Sequence, residues 1–241
     1  MAIGLAMKLL LTRPRKQAEA LASKLRTEDI DVWIEPMLKI IPCASVELDP
    51  EDYQVLLVTS PNGADSLADV TARRDVMIYA VGDITAATLS CHGFADVHSA
   101  GGNVNDLAVL VETTIESTAG AIAHVGGTDL AGDLVKRLCL VGYRARHVAL
   151  YHTVAATCLS CEVRRAMGNG EIDGALFFSP GTARIFMALV SETKCGSALA
   201  NMTAFCLSEA VANALDRALW GRLVVSDRPA SANLLAAVMG G

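Results

Sequence analysis

Short apolar runs alternate with amphipathic stretches along the whole chain, and the hydrophobic period changes at each step. Residues 7–12 form an apolar run of strand length, and residues 14–26 then place Ala18, Leu21, Ala22 and Leu25 on one helical stripe. The exchange recurs. Strands are predicted over 32–34, 54–59, 77–81, 94–98, 121–125 and 146–153, the last continuing to 156. Helices are predicted over 61–73, 84–91, 104–116 and 130–141, with Gly93 and Gly142 as C-caps. Segments 161–167, 175–178, 182–190, 202–207, 210–219, 223–226 and 231–239 continue the alternation of helix and strand. Segment 36–42 carries a proline at each end, which forbids helix, and reads as an extended linker. Alternation of this length implies parallel sheets covered on both faces. In such sheets ligands gather at the carboxyl ends of the strands, so the strand-to-helix junctions are the informative part of the chain.

Three junctions place proline at the first helical position, where it is pre-organised and loses no hydrogen bond: Pro14 after Thr12 and Arg13, Pro61 after Thr59 and Ser60, and Pro180 after Phe178 and Ser179. Ser60, followed by Asn62 and Gly63, and Ser179, followed by Gly181 and Thr182, read as N-caps. Two further junctions resemble each other: Val81 and Gly82 leading to Thr85 and Ala86, and Leu207 and Ser208 leading to Val211 and Ala212. The Ser-Pro junction and its companion thus recur about 120 residues apart, which indicates two similarly built halves. A helix start offers free N–H donors and a partial positive charge, worth ~0.3–1 kcal/mol per exposed anion contact. Several such starts facing one cleft would bind a polyanion with few Lys or Arg, although any single one is explained by capping alone.

Composition narrows the classes. The chain has 241 residues, 52% of them hydrophobic and 19% charged, enough for one large domain or two small ones and far from a disordered composition. Lys and Arg number 20 against 26 Asp and Glu, a net charge of -6 with no dense basic block, which argues against nucleic-acid partners. No apolar run approaches the ~20 residues of a membrane span. Residues 1–11 lack a basic leading region and a small-residue cleavage site, so they are not read as a signal peptide, and Met7 is an alternative start to Met1. Seven scattered cysteines (43, 91, 139, 158, 161, 195 and 206) read as reduced thiols of a cytoplasmic protein.

Familiar cofactor motifs are missing: neither a G-x-G-x-x-G nor a Walker A sequence occurs. His124, Val125, Gly126, Gly127 and Thr128 follow a strand and could touch a ligand, yet the third glycine and acidic partner of a dinucleotide site are lacking. Cys158 and Cys161 have redox or zinc spacing without a second pair or nearby His, and the five histidines form no i, i+4 pair, so no metal site is expected. Tyr151 and His152 end a strand, where a Tyr serves as interface packing or as a proton donor.

At these same junctions the chain resembles the uroporphyrinogen-III synthase family. The resemblance is carried by residues 10–14 with 17–21, by 58–63, by Val81 and Gly82 with Thr85 and Ala86, and by Gly142 and Tyr143 through Val148, Tyr151 and Thr153. Phe178, Ser179 and Pro180, and the terminal Asp227, Arg228 and Pro229, complete it, so it covers nearly the whole chain. The chain departs from the family at 208–212, where Val211 offers no hydroxyl, and after the central strand, where His124 or Gly126 stands in place of a basic residue.

The resemblance implies two parallel-sheet, flavodoxin-like α/β domains joined by a two-stranded β-ladder, with the active site in the cleft between them. One domain would be discontinuous, residues 1–35 with 157–241; the other would be 43–149, and 36–42 and 150–156 would form the ladder. The implied activity is cyclisation of linear hydroxymethylbilane to uroporphyrinogen III, with loss of water and inversion of ring D, in heme and tetrapyrrole biosynthesis. It implies a monomer without metal or organic cofactor that takes its substrate from the preceding deaminase. Tyr151 is the family-matched acid. Arg13, Thr59, Ser60, Asn62, Gly82, Thr85, Gly126, Ser179, Gly181 and Ser208 are the implied substrate-binding residues, and Arg15 would add charge. The competing class is a non-enzymatic two-lobed binder or sensor for an anionic small molecule.

Overall fold

The computed structural model describes residues 7–44, 46–129, 132–193, 195–228 and 231–239. The expected start at Met1, the onset of the helix at Leu130 and the terminal Pro229 lie outside the described residues. The chain divides into two compact units, one built from residues 1–39 and 154–241, the other from residues 40–153, so the backbone passes between them twice.

The first unit holds a five-stranded parallel sheet. Its strands are β1 (Lys8–Leu11), β2 (Asp31–Ile34), β9 (Gly174–Phe177), β10 (Thr203–Cys206) and β11 (Arg222–Val225), in the spatial order β2-β1-β9-β10-β11. Helix α1 (Arg15–Arg26) buries the stripe Ala18, Leu21, Ala22 and Leu25 against it. Asp29, at φ 57°, then turns the chain left-handed into β2, a conformation Asp tolerates better than most residues. Pro14 stands one place earlier than expected, as the N-cap of α1 with ψ 142°. The opposite face is covered by α6 (Cys161–Gly168) and α7 (Pro180–Ser191), around an aromatic cluster. There Phe177 lies 5.3 Å from Phe186 and 5.8 Å from Trp220 between ring centroids, each such pair worth ~0.5–1.5 kcal/mol beyond burial.

The helix expected over 210–219 is shorter. It forms only α8 (Glu209–Ala212) and, after a turn, a 3-10 segment Arg217–Leu219. Leu215 and Trp220 are both buried in one core, which requires the chain to fold back between them, and Asp216 starts the new turn by accepting from Ala218 N at 3.2 Å. Helix α9 (Ser231–Met239) closes the unit by burying Leu234 and Val238.

The second unit is built on a six-stranded sheet, in the order β3-β8-β7-β4-β5-β6. Its strands are β3 (Leu38–Pro42), β4 (Tyr53–Val58), β5 (Met77–Ala80), β6 (Asp96–Ser99), β7 (Ala121–Gly127) and β8 (Arg144–Ala155). β4 through β8 pair in parallel. Segment 36–42 is thus a short linker into an edge strand, β3. The covering helices are α2 (Pro61–Val70), α3 (Asp83–Cys91), α4 (Val104–Thr114) and α5 (Leu134–Leu140). Helix α2 ends three residues earlier than its pattern predicts, because Thr71 is extended and its hydroxyl accepts from Arg73 N at 3.1 Å, an alternative to helical bonding.

Candidate functional site

In the first unit the strand order reverses beside β1, and in the second beside β4. The first unit has β2 on one side of β1 and β9 on the other; the second has β5 on one side of β4 and β7 on the other. Loops leaving adjacent strands in opposite directions open a crevice at the carboxyl ends, which is where open α/β sheets bind ligands. Both Ser-Pro junctions stand at these two points.

In the second unit, β4 releases the chain at Thr59 and Ser60, both half-buried. Ser60 is extended (φ −156°, ψ 154°), Pro61 opens α2, and Ser60 Oγ accepts from Gly63 N at 3.0 Å. The same hydroxyl lies 3.3 Å from the Tyr151 hydroxyl. Tyr151 reaches it through an irregularity in β8. The pairing runs Val125 with Val148 and Gly126 with Ala149, then skips Leu150 to pair Gly127 with Tyr151. The Tyr151 ring then lies over Gly127 so closely that a Cβ there would come within 2.8 Å of Cε2 and 3.0 Å of Cζ. Glycine is required by that approach. Tyr151 itself is buried at 6% exposure among core residues, so it packs and offers its hydroxyl at once.

One residue away, Thr59 Oγ1 sits 3.0 Å from His124 Nε2. His124 is on β7, 3% exposed, and pairs in register with Leu57 on one side and His147 on the other. Its ring lies 5.5 Å from that of His147, and both His124 Nδ1 and His147 Nε2 are buried without a hydrogen-bond partner among the described residues. Burial, reinforced by His147, pushes the His124 pKa down to about 4. Burial also lowers that of His147, opposed by a backbone hydrogen bond with Gly127. Both rings are therefore neutral near pH 7.

In the first unit, Arg13 follows β1 and Phe178 and Ser179 follow β9, and Thr12 Oγ1 ties the two strand ends together by donating to Leu176 O at 2.7 Å. The Arg13 guanidinium lies 4.3 Å over the Phe178 ring and donates through Nε and Nη2 to Gln17 Oε1 at 3.1 and 2.8 Å. Among the described residues no carboxylate pairs with it, and burial lowers its pKa. Ser179 repeats the Ser60 geometry at φ −149°, ψ 150°, accepting from Thr182 N at 3.2 Å, with half-buried Gly181 in the first turn.

The remaining expected contacts stand differently. Gly82 and Ser208 are extended N-caps of α3 and α8, but each helix opens with its own acid, Asp83 and Glu209, whereas the first turns of α2 and α7 contain none. An acid in the first turn already answers the helix charge, so the Ser-Pro starts are the ones left to attract an anion. Thr85 is buried. Gly126 lies inside β7, which runs two residues further than expected, and is not at a helix start. Asn62 occupies the first turn of α2, half-buried.

Sequence reasoning missed the contacts that set His147 against His124, the Tyr151 ring over Gly127, and Phe178 and Gln17 against Arg13. Only Gln17 had a signal, its i, i+4 spacing from Arg13. Among the described residues no three or more His, Cys, Asp or Glu side chains stand close enough to hold a metal ion, and no helix is long and apolar enough to cross a membrane. The Ser-Pro junctions do not line the cavity of about 340 Å³ in the first unit, which opens beside Ile172 and Asp173, at the amino end of β9.

Comparison with known proteins bears on the family and the fold. The family model described as uroporphyrinogen-III synthase HemD matches residues 19–236. A Methanocaldococcus jannaschii protein, provisionally described as a uroporphyrinogen-III synthase, is 28% identical over 88 residues. That alignment spans 34% of this chain and about a third (37%) of the relative's length. The crystal structure of uroporphyrinogen-III synthetase from Helicobacter pylori superposes with a TM-score of 0.62 at 16% identity, covering 97% of this chain and 99% of that one. A mutant uroporphyrinogen III synthase from the extremely thermophilic bacterium Thermus thermophilus follows at 0.52 and 15%, covering 98% of each chain. At these identities the two structures establish the shared fold.

Proposed function

The chain belongs to the uroporphyrinogen-III synthase family, and we propose that it converts hydroxymethylbilane to uroporphyrinogen III, closing the macrocycle with loss of water and inversion of ring D. The observation that carries this reading is the Tyr151 hydroxyl held 3.3 Å from the Ser60 cap, at the strand reversal of the second unit and beside the acid-free start of α2.

The leaving group is the hydroxyl of the hydroxymethyl carbon on the terminal ring opposite ring D. Electron push from that ring's pyrrole nitrogen breaks the carbon–oxygen bond, and a proton from Tyr151 lets the oxygen leave as water. A ring-D carbon then bonds to the methylene left behind, and the proton that the macrocycle loses on regaining aromaticity returns to the Tyr151 phenolate. Ser60 Oγ accepts from Gly63 N through one lone pair and pairs with the tyrosine through the other side of the hydroxyl, which fixes where the phenol points. Carboxylates of the substrate are assigned in the second unit to Ser60 and Asn62, with Thr59 next to Ser60, and in the first unit to Arg13, Ser179 and Gly181. Gly82, Thr85, Gly126 and Ser208 are kept as substrate-binding positions of lesser weight, for the reasons of charge and burial given above. Positioning contributes up to several kcal/mol, while general acid help is typically 10²–10⁴-fold.

Residues 1–35 with 157–241, and residues 43–149, are proposed as the two domains, with 36–42 and 150–156 as the ladder. Donation from Cys43 N to Leu150 O and from Ala156 N to Met37 O, at 2.9 and 3.0 Å, supports it. We also infer a cytoplasmic monomer supplied by the preceding deaminase, consistent with seven free thiols; size-exclusion chromatography tests the monomer. The function is tested by incubating the protein with freshly made hydroxymethylbilane. Isomer III in excess over the spontaneous isomer I supports it, and binding without any change in isomer ratio would instead establish a ligand-binding protein.

A further inference from the structure

The function does not absorb one feature of the second unit: a buried histidine whose side-chain hydrogen-bond partner, among the described residues, is a hydroxyl at the strand reversal. His124 Nε2 is 3.0 Å from Thr59 Oγ1, and its other nitrogen, Nδ1, is buried with no hydrogen-bond partner among the described residues. A neutral imidazole carries one N–H, and the two tautomers are unequal here. Placing the hydrogen on Nδ1 buries an unpaired donor. Placing it on Nε2 leaves a bare lone pair at Nδ1, the cheaper of two unsatisfied states, and makes a hydrogen bond to Thr59. His147 supplies no alternative donor, since its buried Nε2 is itself unpaired and the residue already bonds the Gly127 backbone.

We propose that His124 is a positioning residue: as the Nε2–H tautomer it donates to Thr59 Oγ1 and so turns the Thr59 hydroxyl hydrogen outward, toward an anionic group of the substrate. The proposal rests on the function given above. Thr59 has one hydrogen to give and is half-buried at the mouth of the strand reversal. With its lone pair occupied by the histidine, the hydroxyl faces the crevice as a donor. A free threonine hydroxyl would spend part of its time presenting a lone pair, which repels a carboxylate. The histidine thus acts through Thr59 and does not touch the substrate. The recognised ligand chemistry is an anionic oxygen, and the effect falls on binding more than on turnover.

Two measurements decide it. Nitrogen-15 spectra of the substrate-free protein read the ring tautomer directly: hydrogen on Nε2 of His124 is expected, and hydrogen on Nδ1 overturns the proposal. That readout needs no activity, so it separates failure here from failure of the functional assignment, which shows as absence of isomer III from the wild type. The second is a double-mutant cycle on the Michaelis constant for hydroxymethylbilane with His124→Leu and Thr59→Val. Thr59→Val should raise it roughly tenfold, the loss of one hydrogen bond to a charged group. His124→Leu, which frees the hydroxyl to turn, should raise it a smaller amount, about two- to fivefold, and the double variant should be no worse than Thr59→Val alone. Turnover should change less than the Michaelis constant. His124→Gln, whose amide can still donate to Thr59, should recover most of the loss. Multiplication of the two single effects, to roughly 20- to 50-fold, refutes action through Thr59. Thermal melts of the same variants identify any that fail to fold, and for those the tautomer measurement alone decides.

Discussion

Acidification charges His124 in the unfolded chain well before the folded protein accepts a proton. The ring is 3% exposed, and burial lowers its pKa from 6.5 to about 4 in the native state, with His147 adding to the effect. Between those values the unfolded state binds the extra proton, so stability falls as pH falls through 6.5 and levels off below about 4. At 1.36 kcal/mol per pH unit the full loss is about 3 kcal/mol, on the order of a third of a typical domain's stability. His147 shifts in the same direction, so the comparison must isolate one ring. His124→Gln removes the titration while keeping a polar side chain of similar reach. Urea unfolding should be followed by amide hydrogen exchange in β4 and β7, because both tryptophans, Trp33 and Trp220, belong to the first unit and their fluorescence reports that unit instead. Wild type minus variant stability should be flat above pH 6.5 and drop by about 3 kcal/mol toward pH 4. Parallel curves for the two proteins would show that His124 is not held neutral by its surroundings, and the reasoning would fail.

Four further outcomes follow from the geometry. Tyr151→Phe should lower turnover ~10–100-fold with an unchanged melt, and an unchanged rate would return Tyr151 to packing alone. Gly127→Ala drives a Cβ to 2.8 Å from a buried ring and should cost ~1–3 kcal/mol, read by urea unfolding; a loss within measurement error would mean the ring shifts freely. Gly181→Asp puts a carboxylate in the acid-free first turn of α7 and should raise the Michaelis constant more than it lowers turnover, which steady-state kinetics at varied substrate would show. Added salt should also raise the Michaelis constant, since exposed charges are screened within ~8–10 Å near physiological ionic strength, and salt-independent binding would count against helix starts and Arg13 as the anion holders.

Much of the molecule is written in local chemistry. The alternation of period that marks β1, α1, β4 and α2 survives in the structure because each element buries a face defined by its own residues. The Ser-Pro starts are equally local: a serine three residues before the N–H it caps needs no distant partner, and Ser60 and Ser179 adopt nearly the same backbone angles in two different sheets. Local pattern misled in two ways: the Thr71 hydroxyl ended α2 early by a local bond, and elsewhere a tertiary demand intervened. The helix expected over 210–219 broke because Leu215 and Trp220 must reach one core.

The site's fine structure belongs to the tertiary level. Which strands flank β1 and β4 decides that Arg13 meets Ser179's loop and that Thr59 meets His124, and strand order is not encoded in any one segment. The skipped Leu150 in β8 is likewise invisible along the chain, since register exists only between two strands, yet it sets the Tyr151 ring over Gly127 and its hydroxyl beside Ser60. The neutral state of His124 depends on burial and on a second histidine across the ladder. Sequence alone determined the elements, their caps and the residues available for anion binding. Pairing between segments some 65 to 165 residues apart decided which of them touch, because close packing and hydrogen-bond satisfaction are properties of neighbours in space.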